Sequence, residues 1–117
     1  MNRAAVRTAL PALLVGLLLM WTAHSSFAQG KARVKDVFEV GPSVYVRALT
    51  VEPATGALWV GTSAGVHEVD LATGKKRNTF TRKEGLANEY VFAVGLDKAG
   101  NKWFGTNAGG VSRYRNG

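Results

Sequence analysis

The groups in this sequence that could do chemistry are few, and their spacing limits what each can do. No cysteine occurs among the 117 residues, which removes disulfides, thiol nucleophiles, cysteine-based metal sites and a lipid-anchored cysteine. His67 sits in GVHEVD with no second ligand at metal spacing, so it reads as a half-exposed strand histidine and no metal site is assigned. Glu84 and Glu89 straddle GLAN. Two carboxylates can act as acid and base on a glycosidic bond, but in a loop with no accompanying signal this pair reads as solvated. GTNAGG (105–110) is glycine-rich yet lies between two strands, where no helix N-terminus is present to hold a phosphate. No Ser–His–Asp arrangement is found. The expectation is a chain with no catalytic residue and no cofactor, hence not an enzyme.

The elements that would position any site begin after residue 28. Arg3 and Arg7, the apolar run ALPALLVGLLLMW (9–21) and Ser26-Phe27-Ala28 have the order of a secretory signal peptide helix, cleaved near Ala28. The run is short of the roughly 20 residues that span a bilayer comfortably. An uncleaved membrane anchor is the alternative, and it would be the chain's one membrane contact. The expected location is periplasmic or secreted, in a bacterium. Loss of Arg3 and Arg7 lowers the formal charge from +7 to +5. A basic excess can mark nucleic-acid binding; for an exported chain no nucleic acid is expected, and solvated turns or acidic ligands fit better. At 46% hydrophobic and 20% charged residues, the composition is that of a folded chain.

LWVGTSAGVHEV (58–69) recurs as KWFGTNAGGVSRY (102–114). Trp59 matches Trp103, Gly61 matches Gly105, Thr62 matches Thr106 and Gly65 matches Gly109, each pair 44 positions apart. Upstream, Val46, Ala48, Leu49 and Val51 match Val91, Ala93, Val94 and Leu96 at 45. Short strands at a period of 40 to 50 residues are the sequence form of propeller blades. The predicted strands are 44–51, 57–62, 65–71 and 75–82 in the first copy, and 90–97, 102–106 and 110–115 in the second. The matched residues have structural roles: a tryptophan to pack between neighbouring units, glycines for close approach or positive φ, and threonines to bond into turns.

The stretch GLANEYVFAVGLDKAGNKWFGTNAGGVSRY (85–114) resembles the two-component regulator propeller repeat, which occurs in arrays in the periplasmic sensors of hybrid histidine kinases. The residues that carry the resemblance are Gly85-Leu86, Asn88, Asp97, Gly100, Trp103-Phe104-Gly105-Thr106 and Gly109-Gly110-Val111. The first copy departs from it, with Glu52 for the aspartate, an enlarged turn at Pro53 and Thr55, and one glycine of the pair missing at Gly65-Val66.

The expected fold is therefore all-β: a leader (1–28), an N-terminal segment with one strand (29–43, the strand being 34–40) and two β-propeller repeats (44–117). Strand 34–40 is placed to complete the three-stranded second blade. Two four-stranded blades make a partial propeller, since a closed ring takes about four to eight. The expected partners are further blades, from identical chains or from a larger protein. What the resemblance implies is a periplasmic ligand-sensing segment whose signalling output lies on another chain. A self-assembling two-blade lectin is the alternative, and a propeller enzyme fragment the third reading. Ligands of propellers meet the turns that enter the inner strand and those between the second and third strands. Here these supply Ser43, Tyr45, Ser63, Asn88, Glu89, Tyr90 and Asn107, a mixture suited to a glycan or another small ligand.

Overall fold

A computed structural model describes residues 30–116. The leader assigned to 1–28, with its cleavage site, lies outside the described residues. The unit that begins at Val34 is all-β. Strands β1 (Val46–Glu52), β2 (Ala57–Thr62), β3 (Gly65–Asp70) and β4 (Lys76–Phe80) form a four-stranded antiparallel sheet in chain order. Strands β5 (Val91–Leu96), β6 (Lys102–Thr106) and β7 (Gly110–Tyr114) form a three-stranded one. A single 3₁₀ turn at Arg82–Glu84 joins the sheets. Thr81 and Glu84 cap this turn reciprocally.

The second strands β2 and β6 match their predicted bounds because Trp-apolar-Gly-Thr carries area for both faces of a sheet. The repeat is visible in the registers as well. Each inner strand carries one bulge, between Val46 and Ala48 in β1 and between Val91 and Ala93 in β5. Thr62 Oγ1 donates to the Gly65 carbonyl and Thr106 Oγ1 to the Gly110 carbonyl, both at 2.8 Å. Gly65 and Gly110 each open a third strand at positive φ, 113° and 85°. So the structural counterpart of Gly65 is Gly110 and not Gly109: the β6–β7 turn holds one residue more than the β2–β3 turn. Gly109 is instead kept small by the backbone of Ala87, 2.8 Å from where its Cβ would stand.

The sheets pack face to face about Trp59, which is 1% exposed. Its ring lies 5.9 Å from those of Phe80, Phe104 and Tyr114, and Ala57, Val66, Leu86 and Val91 complete the core. Gly61 allows the approach, since a Cβ there would meet Val94 and Val91 of β5 at 2.9 and 3.0 Å. Polar groups close the seam. Glu52 accepts from Trp59 Nε1 at 2.8 Å and pairs with Lys102 Nζ of the other sheet at 2.9 Å. Burial pushes the Glu52 carboxyl up, but the bonds from Lys102, Trp59 and Thr55 outweigh it and leave it below its ordinary 4.5.

One predicted strand is absent. Residues 34–40 join neither ladder and do not complete the three-stranded sheet. Val34 and Val37 of that segment stay exposed, whereas Phe38 and Val40 are half-buried. Phe38 lies where a Cβ on Gly74 would stand, and the Val40 carbonyl approaches the His67 ring. These two residues find apolar cover beside the first sheet, on the face opposite Trp59. By strand alternation that face carries Leu58, Val60, His67 and Val69.

His67 is buried there, its Nδ1 3.0 Å from Thr79 Oγ1 and its Nε2 without a partner among the described residues. Burial, and secondarily the Lys76 charge, hold its pKa below the ordinary 6.5, although the Val40 carbonyl acts the other way. The unfolded chain therefore binds the proton more readily than the fold does. The sign follows: this stability is complete above pH 6.5 and is lost as pH falls from there through the depressed native value. The thermal midpoint should fall between pH 7.5 and 5.5, and His67→Gln should flatten that slope in the same calorimetric series.

Candidate functional site

The bulges decide what the inner strands present. A bulge residue leaves the ladder and is re-aimed outward; here these residues are Arg47 and Phe92, at equivalent positions of the two copies. Two residues before them stand Tyr45 and Tyr90, also equivalent. The Tyr45 carbonyl accepts from Ser63 N at 3.0 Å and the Tyr90 carbonyl from Asn107 N at 2.8 Å, so each tyrosine is tied to the following turn of its own sheet. β1 and β5 run side by side, with Thr50 Oγ1 donating to the Val94 carbonyl at 2.9 Å.

These constraints gather one exposed cluster from both sheets. The Arg47 guanidinium lies over the rings of Tyr45, Tyr90 and Phe92, 5.5, 5.6 and 5.6 Å from their centroids. Its Nη2 donates to the Tyr90 hydroxyl at 3.3 Å, and Tyr90 and Phe92 are 5.6 Å apart. Among the described residues Arg47 has no carboxylate partner. A guanidinium held on aromatic rings, with most of its five donors free, can take a bidentate oxyanion while the ring edges offer apolar contact.

The side chains expected to meet a ligand are all brought to this end of the sheets, but several are already engaged. Ser63 Oγ accepts from Tyr45 N at 3.0 Å, and Asn88 Oδ1 from Tyr90 N at 2.9 Å. Glu89 Oε1 accepts from Arg82 N at 3.3 Å, while its carbonyl accepts from Gly65 N at 2.7 Å. Ser43 has φ 56° in the turn before β1, and Asn107 is exposed. Tyr45 and Tyr90 thus have ring surface to offer, whereas Ser63, Asn88 and Glu89 hold the backbone that carries it. Glu84 binds Thr81 N and Oγ1, both at 2.7 Å, so it is a cap and stands apart from Glu89 in role. Arg47 and Phe92 were missed by the sequence reading. The signal was there, as Tyr-x-Arg and Tyr-x-Phe at equivalent positions, but simple alternation does not show which residue a bulge ejects.

No family model matches the chain, and no curated protein matches it. Among solved structures it is similar to the extracellular domain of the hybrid two-component system BT3049 from B. thetaiotaomicron, with a TM-score of 0.60 and 30% sequence identity. The similarity covers 68% of this chain and 11% of that one, so the chain spans about a tenth of the length of the domain it matches.

Proposed function

We propose that this chain is a ligand-binding segment of an extracytoplasmic sensory β-propeller, of the two-component regulator repeat type, with its signalling output carried elsewhere. The observation that supports this most directly is the cluster of Tyr45, Arg47, Tyr90 and Phe92. Two copies of one repeat each contribute a tyrosine and a bulge residue to a shared exposed surface. The similarity to the extracellular domain of a hybrid two-component system and the two antiparallel sheets, one for each copy of the repeat, support it further. The ligand class that fits is a small molecule or glycan bearing an oxyanion, with the chain's net basic charge helping its approach.

Screening the full chain against an array of neutral and acidic oligosaccharides, followed by calorimetry on any hit, tests the reading. Acidic members should bind, and Arg47→Ala should weaken them about 10-fold or more, the worth of a charge-assisted hydrogen bond. Binding confined to neutral glycans and indifferent to Arg47→Ala, or no binding across the array, would refute it.

A further inference from the structure

Among the described residues, no backbone hydrogen bond ties segment 34–44 to either sheet. Its hold is the placement of Phe38 against Gly74 and of Val40 beside His67. The first bonds that join the chain to a sheet are those of Tyr45, which belongs to the ligand cluster. Between Val40 and Tyr45 the backbone makes a tight turn with two residues at positive φ, Gly41 at 129° and Ser43 at 56°. A Cβ on Gly41 would already meet Val44 at 3.2 Å. Ser43 is not a glycine, so its conformation is strained and persists only while both flanks are held. The placement of Tyr45 is thus coupled to the seating of Phe38 and Val40.

What Phe38 and Val40 lie beside is a buried histidine. His67 is 5% exposed, and its Nε2 has no partner among the described residues. In the neutral ring, Nδ1 and Thr79 Oγ1 satisfy each other at 3.0 Å. The imidazolium has two N–H groups to satisfy, and its surroundings offer little for the second. To this face β1 contributes Leu49 and Val51, β2 Leu58 and Val60, and β3 Val69. β4 contributes Lys76, a like charge. Asp36 and Glu39 of the segment are exposed, so neither is buried against the ring. The Val40 carbonyl favours the charged form, but burial outweighs it. Hydration of a charged ring therefore requires the segment to lift.

We propose that residues 34–43 are a proton-operated latch: neutral His67 lets Phe38 and Val40 seat on the first sheet, and protonation of His67 unseats them and frees Tyr45. The latch stands on the geometry of the segment, and only its effect on binding rests on the ligand-binding reading above. Linkage fixes the sign. The unseated form takes the proton more readily, so acidification below the ordinary 6.5 favours it.

Fluorine NMR of the full chain reads both halves of the latch. With 4-fluorophenylalanine incorporated, the Phe38 resonance, assigned through Phe38→Leu, should move toward that of an exposed ring between pH 7.5 and 5.5. The resonance of Phe104, which is 1% exposed in the core, should stay in place. With 3-fluorotyrosine, the Tyr45 resonance, assigned through Tyr45→Phe, should move with the same midpoint. His67→Gln should hold both resonances at their pH 7.5 positions throughout. Phe38→Ala should put Tyr45 at its acid position already at pH 7.5. A Phe38 resonance that ignores pH, or that responds equally in His67→Gln, overturns the latch. Phe104 moving in step with Phe38 overturns it too, because the fold then melts as a whole. A fixed Tyr45 beside a moving Phe38 overturns the coupling to the cluster. An acidic oligosaccharide bound at pH 7.5 should bind at least about 3-fold more weakly at pH 5.5, and equally at both in His67→Gln. Equal binding by the native chain at both pH values also overturns that coupling. If no oligosaccharide binds, the ligand reading fails and the resonances still decide the latch.

Discussion

Trp59→Ala is expected to cost about 4 kcal/mol, within the 3–5 kcal/mol typical of truncating a buried large aromatic. The residue is the one through which three other rings are organised, and Phe80, Phe104 and Tyr114 come from both sheets. Its removal also leaves Glu52 with one bond fewer in a buried place. Native domains hold only about 5–15 kcal/mol in total, and this one is small. Urea unfolding should therefore find Trp59→Ala largely unfolded or with a midpoint near zero denaturant. The control is Trp103→Ala, the same chemical change at the equivalent position, which should cost about 1 kcal/mol because its ring is still partly in water. Equal losses at the two positions would contradict a core centred on Trp59.

The second large effect is expected at Lys102. Lys102→Met should cost about 3 kcal/mol, because it leaves the Glu52 carboxylate buried without its cation. Adding Glu52→Gln should recover part of the loss: the amide keeps a hydrogen-bond acceptor for Trp59 and removes the stranded charge. A double-mutant cycle by chemical denaturation measures that coupling. The pH dependence supplies a second readout. Glu52 is held below its ordinary 4.5 in the fold, so the stability it contributes is present above that value and lost as pH falls through the depressed native one. The doubly substituted chain should lose this part of its acid sensitivity.

What was legible in the sequence follows from which residues act locally. The strands could be read because β2 and β6 repeat Trp-apolar-Gly-Thr, and period-2 patterning with glycine turns needs no tertiary information. Gly65 and Gly110 open their strands at positive φ as expected, but a one-residue difference in turn length shifted the match onto Gly109. Residues 34–40 have strand composition and form none, although β7 keeps a free edge, because burial of Phe38 and Val40 competes with pairing. Phe38 and Val40 instead lie against the back of the first sheet. Arg47 and Phe92 escaped notice because ejection by a bulge is a property of a pair of strands, set by the register between them.

The seam of Glu52, Trp59 and Lys102 makes the two repeats unequal, as a lock is to its key. Leu58 stands in the first repeat where Lys102 stands in the second, so a sheet with the first repeat's sequence in place of β5–β7 would leave Glu52 a buried charge with no counter-charge. The second repeat carries a carboxylate on one face, Asp97, and a cation on the other, Lys102, whereas the first has Glu52 on one face and Leu58 at the place of the cation. In those terms the two repeats are not interchangeable halves: the seam is keyed, with the charge on one sheet and its only described counter-charge on the other.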